Sequence, residues 1–139
     1  MIKTTSKAQT LKLVESKVSL FKVPELLFFD TASFSSCPEK FISKIKDTFS
    51  GRPLVIRSSA ADEDGTQNAC AGEYDSVLNV SSTDSEAIRA AIATVIASYE
   101  RKGPRTGQDE VIVQEMVLNT SISGVVFTHD LNSGAPYYV

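Results

Sequence analysis

The sequence predicts an α+β fold with a mixed sheet and about three helices. The chain has 139 residues, 42% of them hydrophobic and 22% charged, which is enough for one globular domain with its own core. Short continuous apolar runs, typical of buried strands, occur between segments of helical periodicity. We interpret residues 1–139 as one domain. Because the chain ends inside a predicted strand, we expect it to be truncated at the C-terminus.

Three segments have apolar residues three or four positions apart and end signals on both sides, which predicts helices. In the first, Thr5 or Ser6 is available as the N-cap. In the third, which has the clearest pattern, Thr83 and Glu86 form a capping box. The predicted helices run from Ser6 to about Val18, from Pro38 to a left-handed cap at Gly51, and from Thr83 to Lys102.

The predicted strands are continuous apolar runs or alternating segments bounded by turn residues. They cover residues 23–29, 53–57, 76–80, 111–113 and 122–128, and the last residues before the C-terminus resemble a further strand.

Charge and composition exclude several classes of protein. The formal net charge is −3 and no dense basic run occurs, which argues against a nucleic-acid partner. The N-terminus lacks the apolar region of a signal peptide, and no segment is long and apolar enough for a membrane span. We therefore expect a cytoplasmic protein with no membrane partner.

The most informative motif lies between two predicted strands. The strand Leu54-Val55-Ile56 leads into Arg57-Ser58-Ser59, and residues 60–72 form a loop of small and acidic residues. An arginine at a strand end offers a planar fork of donors for phosphate oxygens, and a small-residue loop lets backbone N–H groups approach them. The local residues also fit a structural arginine paired with Asp62 or Glu63 and an ordinary hairpin loop.

The whole segment resembles the N-terminal nucleotide-binding domain of phosphoenolpyruvate synthase and pyruvate phosphate dikinase, a variant of the ATP-grasp fold. The family pattern reads VRSSAxxED, then a small-residue loop, then AGxxxSxLNV, and nearly all of it is present between Val55 and Val80. A second matching segment begins at Val111 and extends to Thr128. The resemblance implies ATP and Mg²⁺ as cofactors.

The resemblance also implies a set of binding residues. Lys7 corresponds to the lysine of a Gly-Gly-Lys pattern, although Thr5 and Ser6 replace both glycines. At a helix start, this lysine would stand beside exposed backbone N–H donors, which favours anions. The implied ATP-phosphate ligands are Lys7, Arg57, Ser58, Gly65 and Gly72, and the implied adenine-binding segment is Gln114, Glu115, Met116 and Val117.

The family's reaction suggests what a longer parent enzyme would do. Such an enzyme uses Mg-ATP to phosphorylate a histidine on a separate mobile domain, which passes the phosphoryl group to pyruvate. We assign no catalytic residue here, His129 included, leave the metal ligands unassigned, and expect the chain alone to be inactive. The alternatives are a related dikinase acting on a glucan or an antibiotic, and a non-catalytic nucleotide-binding or interaction fragment. An open sheet edge would also permit self-association.

Overall fold

The structure, a computed structural model, describes residues 6–59, 75–101, 109–124 and 134. In these ranges the chain forms four helices and four strands. In chain order they are α1 (Lys7–Glu15), β1 (Leu26–Asp30), α2 (Thr31–Ser36), α3 (Pro38–Phe49), β2 (Pro53–Ser59), β3 (Ser76–Ser81), α4 (Ser85–Glu100) and β4 (Glu110–Glu115).

The strands form one sheet in the order β1-β4-β2-β3, and each neighbouring pair is antiparallel. The predicted mixed sheet is therefore wrong for the described strands. The central strand β4 is buried on both faces over four consecutive residues, a pattern more typical of parallel sheets. The continuous apolar run of β4 indicates a central strand, but it does not indicate whether the neighbouring strands are parallel or antiparallel to it.

The main core lies on one face of the sheet, under α3 and α4. Helix α4 contributes Ile88, Ile92 and Val95, all fully buried, and α3 contributes Ile45 and Phe49. The inward side chains of the strands complete this core, namely Phe29, Leu54, Ile56, Val80, Val111 and Val113.

Among the described residues, the opposite face carries a small apolar cluster. Ala8 of α1 packs there with Leu26 of β1 and Ile112 of β4, all nearly or fully buried. Leu78 of β3 is 62% exposed. Helix α1 therefore covers only part of this face.

Most element ends follow their local signals, with shifts of one residue. Ser6 caps α1 by accepting a hydrogen bond from the backbone N–H of Gln9, and Pro38 opens α3, both as predicted. The N-cap of α4 is Asp84 rather than Thr83, because its carboxylate accepts from two first-turn N–H groups. The left-handed C-cap of α3 is Ser50, one residue before Gly51.

Two elements differ from the prediction. Helix α2 was not expected, because its Thr-Ala-Ser-Phe-Ser-Ser sequence contains mostly weak helix formers; Asp30 caps it instead. Ile122–Gly124 are not in a strand, and the remainder of the predicted strand 122–128 lies outside the described residues. No helix in the described ranges is long and apolar enough to cross a membrane.

A β-bulge in β3 accounts for part of the Leu-Asn-Val motif. Ile56 pairs with Val77 and Leu54 pairs with Val80, so β3 has one residue more than β2 between these pairs. Asn79 adopts φ 58°, a left-handed conformation that asparagine tolerates better than most residues. The bulge allows both valines to face the main core.

Candidate functional site

Arg57 lies in β2, where β4 flanks it on one side and β3 on the other. Its register partners are Ile112 and Ser76. Side chains alternate along a strand, so Arg57 points to the face opposite α3 and α4. It is half-buried on the face that α1 covers only in part.

The two serines after Arg57 have different surroundings. β2 continues to Ser59, two residues beyond the predicted end of the strand. Ser58 is 4% exposed and, by alternation, lies on the main-core face. Ser59, which is fully buried, shares the face of Arg57. Ser59 is therefore the serine whose side chain belongs to the candidate site, and the phosphate role of Ser58 stays a prediction.

Lys7 is the first residue of α1, and this helix is attached to the end of β2. The backbone N–H of Ala8 donates to Oγ of Ser59 at 3.1 Å. Ser59 lies two residues beyond Arg57, which is about 7 Å along a strand. The structure thus brings the start of the Lys7 helix to the sheet face that carries Arg57.

Two first-turn amides of α1 already have acceptors. Ala8 donates to Ser59, and the backbone N–H of Gln9 donates to Oγ of Ser6. The expectation of exposed backbone donors beside Lys7 is therefore wrong for these two amides. An anion near Lys7 would interact with the ammonium group of Lys7 rather than with the backbone N–H groups of Ala8 and Gln9.

Glu110, which the sequence analysis missed, lies at the centre of a polar cluster beside Lys7. Its carboxylate accepts hydrogen bonds from Oγ of Ser6, from Nε2 of Gln9 at 3.3 Å and from Oγ of Ser59 at 3.5 Å. In the sequence, Glu110 only precedes the predicted strand 111–113. The partners come from segments 51 to 104 residues away, so local pattern could not show them.

The predicted adenine-binding segment lies at the other end of β4. Gln114 is 7% exposed, and its Nε2 donates to the carbonyl of Pro24 at 3.4 Å. The backbone N–H of Met116 donates to the carbonyl of Pro53 at 2.9 Å. Val117 follows and is 61% exposed. The segment therefore leaves the sheet at Met116.

A pocket of about 420 Å³ opens at this end of the sheet. Three of the four predicted adenine-binding residues line it, whereas Gln114 does not. The lining residues are Lys22, Pro24, Arg52, Pro53, Glu115, Met116, Val117 and Leu118. Its wall combines apolar side chains with the aliphatic parts of charged ones, which suits a flat apolar group with a polar edge.

Arg52, also missed from the sequence, fixes one wall of this pocket. Its guanidinium pairs with Glu115 at 2.8 Å and Glu25 at 2.5 Å, and it donates to the carbonyls of Thr48 and Phe49 at the end of α3. The hydrogen bond to Glu25, aided by the charge of Glu115, raises the pKa of Arg52 above its usual value. The arginine charge is thus matched by Glu115 in the pocket wall and by Glu25, which does not line the pocket.

The pocket and Arg57 are separated along the same strand pair. Arg57 lies opposite Ile112, and Met116 is four residues further along the chain. At the usual rise of an antiparallel strand, this separation is about 14 Å.

Two of the predicted phosphate ligands belong to the chain segment between β2 and β3. Gly65 and Gly72, together with the acidic residues Asp62, Glu63 and Asp64, lie outside the described residues. In the ranges that are described, no three His, Cys, Asp or Glu side chains group as a metal site would require.

Comparison with known proteins identifies the family. The family model described as pyruvate phosphate dikinase, AMP/ATP-binding domain, matches residues 29–139. The chain belongs to this family, as the motif predicts. The match begins after α1, so Lys7 is outside it.

One curated relative shares part of the chain. The prodigiosin synthesizing transferase PigC of Serratia marcescens is 32% identical over 89 residues, which are 60% of this chain and 10% of that protein. The matched part is thus a small fraction of that relative's length. No solved structure matches the chain significantly.

Proposed function

We propose that this chain binds ATP with the adenine in the pocket at the end of the sheet, beside Met116, and with the phosphates on the α1 face, near Arg57 and Lys7. The family assignment supports an adenine nucleotide as the ligand. The observation that carries the proposal is the hydrogen bond from Ala8 to Ser59, because it brings the Lys7 helix to the face of Arg57.

Arg57 is suited to the phosphate chain by its chemistry and its place. A guanidinium is always charged and can donate two parallel hydrogen bonds to one phosphate. Arg57 projects from a strand held on both sides, so its backbone needs no ordering when it binds. Lys7 would add a second positive charge at the same face.

The pocket is suited to the base. Met116 and Val117 present apolar surface that can cover a ring, and a polarizable thioether adapts well to aromatic faces. Beyond Met116 the backbone is no longer part of the sheet. The backbone N–H and C=O groups around Val117 could therefore bind the edge of the base. In the pocket wall, Arg52 is paired with Glu115 and also with Glu25, and Lys22 adds a further positive charge to the lining.

In a longer parent protein, ATP bound here would donate a phosphoryl group. We propose a phosphotransferase that resembles phosphoenolpyruvate synthase, with a phosphohistidine domain as partner and Mg²⁺ accompanying ATP. Phosphoryl transfer depends mainly on positioning and charge stabilisation, which Arg57 and Lys7 would supply.

A different acceptor is the second candidate. The Serratia relative is named for prodigiosin synthesis rather than for pyruvate, which favours a shared ATP domain joined to different acceptor domains. In that case the ATP site is unchanged and only the acceptor differs. The third candidate is a non-catalytic nucleotide-binding or interaction fragment.

Titration calorimetry on the full chain tests the ATP site directly. We expect Mg-ATP to bind more tightly than adenosine, because only ATP reaches Arg57 and Lys7. Arg57→Ala should raise the Kd of ATP about tenfold or more, which is the usual effect of losing a charged hydrogen bond. The Kd of adenosine should stay nearly unchanged. Arg89→Ala is the matched control, since Arg89 pairs with Glu39 on the α3–α4 surface. Equal ATP affinity in the two variants would remove Arg57 from the site.

A further inference from the structure

Glu110 occupies a position that connects three elements. It is the first residue of β4, opposite Ser59 of β2 and Asp30 of β1. Its carboxylate reaches beyond the sheet to the start of α1, where it accepts hydrogen bonds from Ser6 and Gln9. One side chain thus links the first turn of α1 to the end of β2.

The main chain of Glu110 is held independently from the other face. The hydroxyl of Tyr99, a nearly buried residue of α4, donates to the carbonyl of Glu110 at 2.6 Å. The same hydroxyl accepts from the backbone N–H of Ser59 at 2.8 Å. Glu110 and Ser59 are therefore attached to the main core through one tyrosine.

Helix α1 has much less support. It has 9 residues, and its single buried residue is Ala8. Helices this short are marginal in water without tertiary contacts. The polar contacts with Glu110 and Ser59 at its N-terminus therefore matter for where α1, and with it Lys7, is held.

We propose that Glu110 is a positioning residue for the ATP phosphates. It holds the start of α1 against the end of β2, so that Lys7 stays on the face of Arg57. A carboxylate suits this task because its two oxygens accept from three donors at once, and hydrogen bonds to an ionised acceptor are the stronger kind. The inference rests on the proposed function, which assigns Lys7 and Arg57 to the phosphates.

The test compares Glu110→Ala with Glu110→Gln in the full chain. Glutamine can still accept from Gln9 and donate to a serine hydroxyl, so it keeps part of the connection. Hydrogen exchange of the Ala8 amide measures the attachment of α1, and calorimetry with ATP and with adenosine measures the site. Glu39→Ala is the matched control, because the Glu39 side chain is 79% exposed and contacts Arg89 far from α1.

The expected results separate positioning from general destabilisation. Glu110→Ala should increase the hydrogen-exchange rate of the Ala8 amide about tenfold and raise the Kd of ATP about tenfold. The Kd of adenosine should change by less than about threefold. Glu110→Gln should restore most of both effects, and Glu39→Ala should show neither. If Glu110→Ala does not fold, Gln9→Leu removes one of the donors and leaves both Glu110 and the Ser6 cap in place.

Two results would overturn the proposal. One is unchanged exchange at Ala8 in Glu110→Ala, and the other is an equal loss of ATP and adenosine affinity. A wild-type chain that binds no ATP would instead overturn the proposed function and the phosphate role with it. The exchange experiment would then still decide whether Glu110 holds α1.

Discussion

The side-chain hydroxyl of Ser59 accepts a hydrogen bond from the backbone amide of Ala8 at 3.1 Å, across 51 residues of sequence. Ser59 is fully buried, and its own amide donates to the hydroxyl of Tyr99. A single residue at the end of β2 therefore joins α1 on one face of the sheet to α4 on the other.

Replacing Ser59 with alanine should destabilise the protein. The change leaves the buried amide of Ala8 without its acceptor, which typically costs about 1–3 kcal/mol. Urea denaturation measures this as a lower free energy of unfolding. Ser36→Ala is the control, since the exposed Ser36 hydroxyl only donates to a carbonyl of its own helix, and its effect should stay within about 0.5 kcal/mol. Similar losses in the two variants would show that the Ser59 contact contributes little.

Arg52→Lys should loosen the pocket while keeping its charge. One ammonium cannot hold Glu25, Glu115 and the two α3 carbonyls in the fixed geometry of a guanidinium. We expect adenosine to bind about three- to tenfold more weakly, measured by calorimetry as a higher Kd. Arg89→Lys, in an exposed ion pair on α4, should leave adenosine binding unchanged. Full adenosine affinity in Arg52→Lys would mean that Arg52 does not shape the pocket.

Acid should weaken the cap of α2 at Asp30. Hydrogen bonds from the side chain and backbone of Ser33 lower the pKa of Asp30 below its ordinary value of 3.8. Because the folded pKa is depressed, this contribution to stability is present above that value and is lost as the pH falls through the folded pKa.

Asp30→Asn provides the comparison, because asparagine caps helices well but does not titrate in this range. Between about pH 5 and pH 2, the wild type should lose more free energy of unfolding than the variant, by at most about 1 kcal/mol. Urea denaturation at several pH values measures this difference, and the exposed Asp47→Asn serves as control. Parallel pH profiles for wild type and Asp30→Asn would contradict the prediction.

Much of the fold could be predicted because its signals are local. The periodicity of α4, the cap at Ser6 and the proline that opens α3 each depend on neighbouring residues. Helix α2 was not predicted because its residues have a weak intrinsic preference for helix. The N-cap Asp30 stabilises it. The antiparallel direction of the strands was not predicted, because burial on both faces does not by itself distinguish parallel from antiparallel neighbours.

The candidate site was predictable where it forms a continuous motif. Arg57 and the segment from Glu115 to Val117 stand out in the sequence. Arg52 does not, because its role arises from partners in three separate segments. The strand was predicted to end at Arg57, so the sequence assigned neither serine to a face. Because β2 extends to Ser59 and side chains alternate along a strand, Ser59 shares the face of Arg57 and Ser58 does not.

The sequence by itself determined that this chain has an α+β architecture and an arginine-bearing motif of the dikinase ATP-binding family, because periodicity, caps and motif spacing are properties of neighbouring residues. The tertiary structure alone decided that Glu110 and Ser59 meet the first turn of α1 and that Arg52 meets Glu115. These contacts join residues 51 to 104 positions apart, in the first case, and 63 positions apart in the second. Such pairs form only when the sheet brings its strands into register, and no local pattern carries that information.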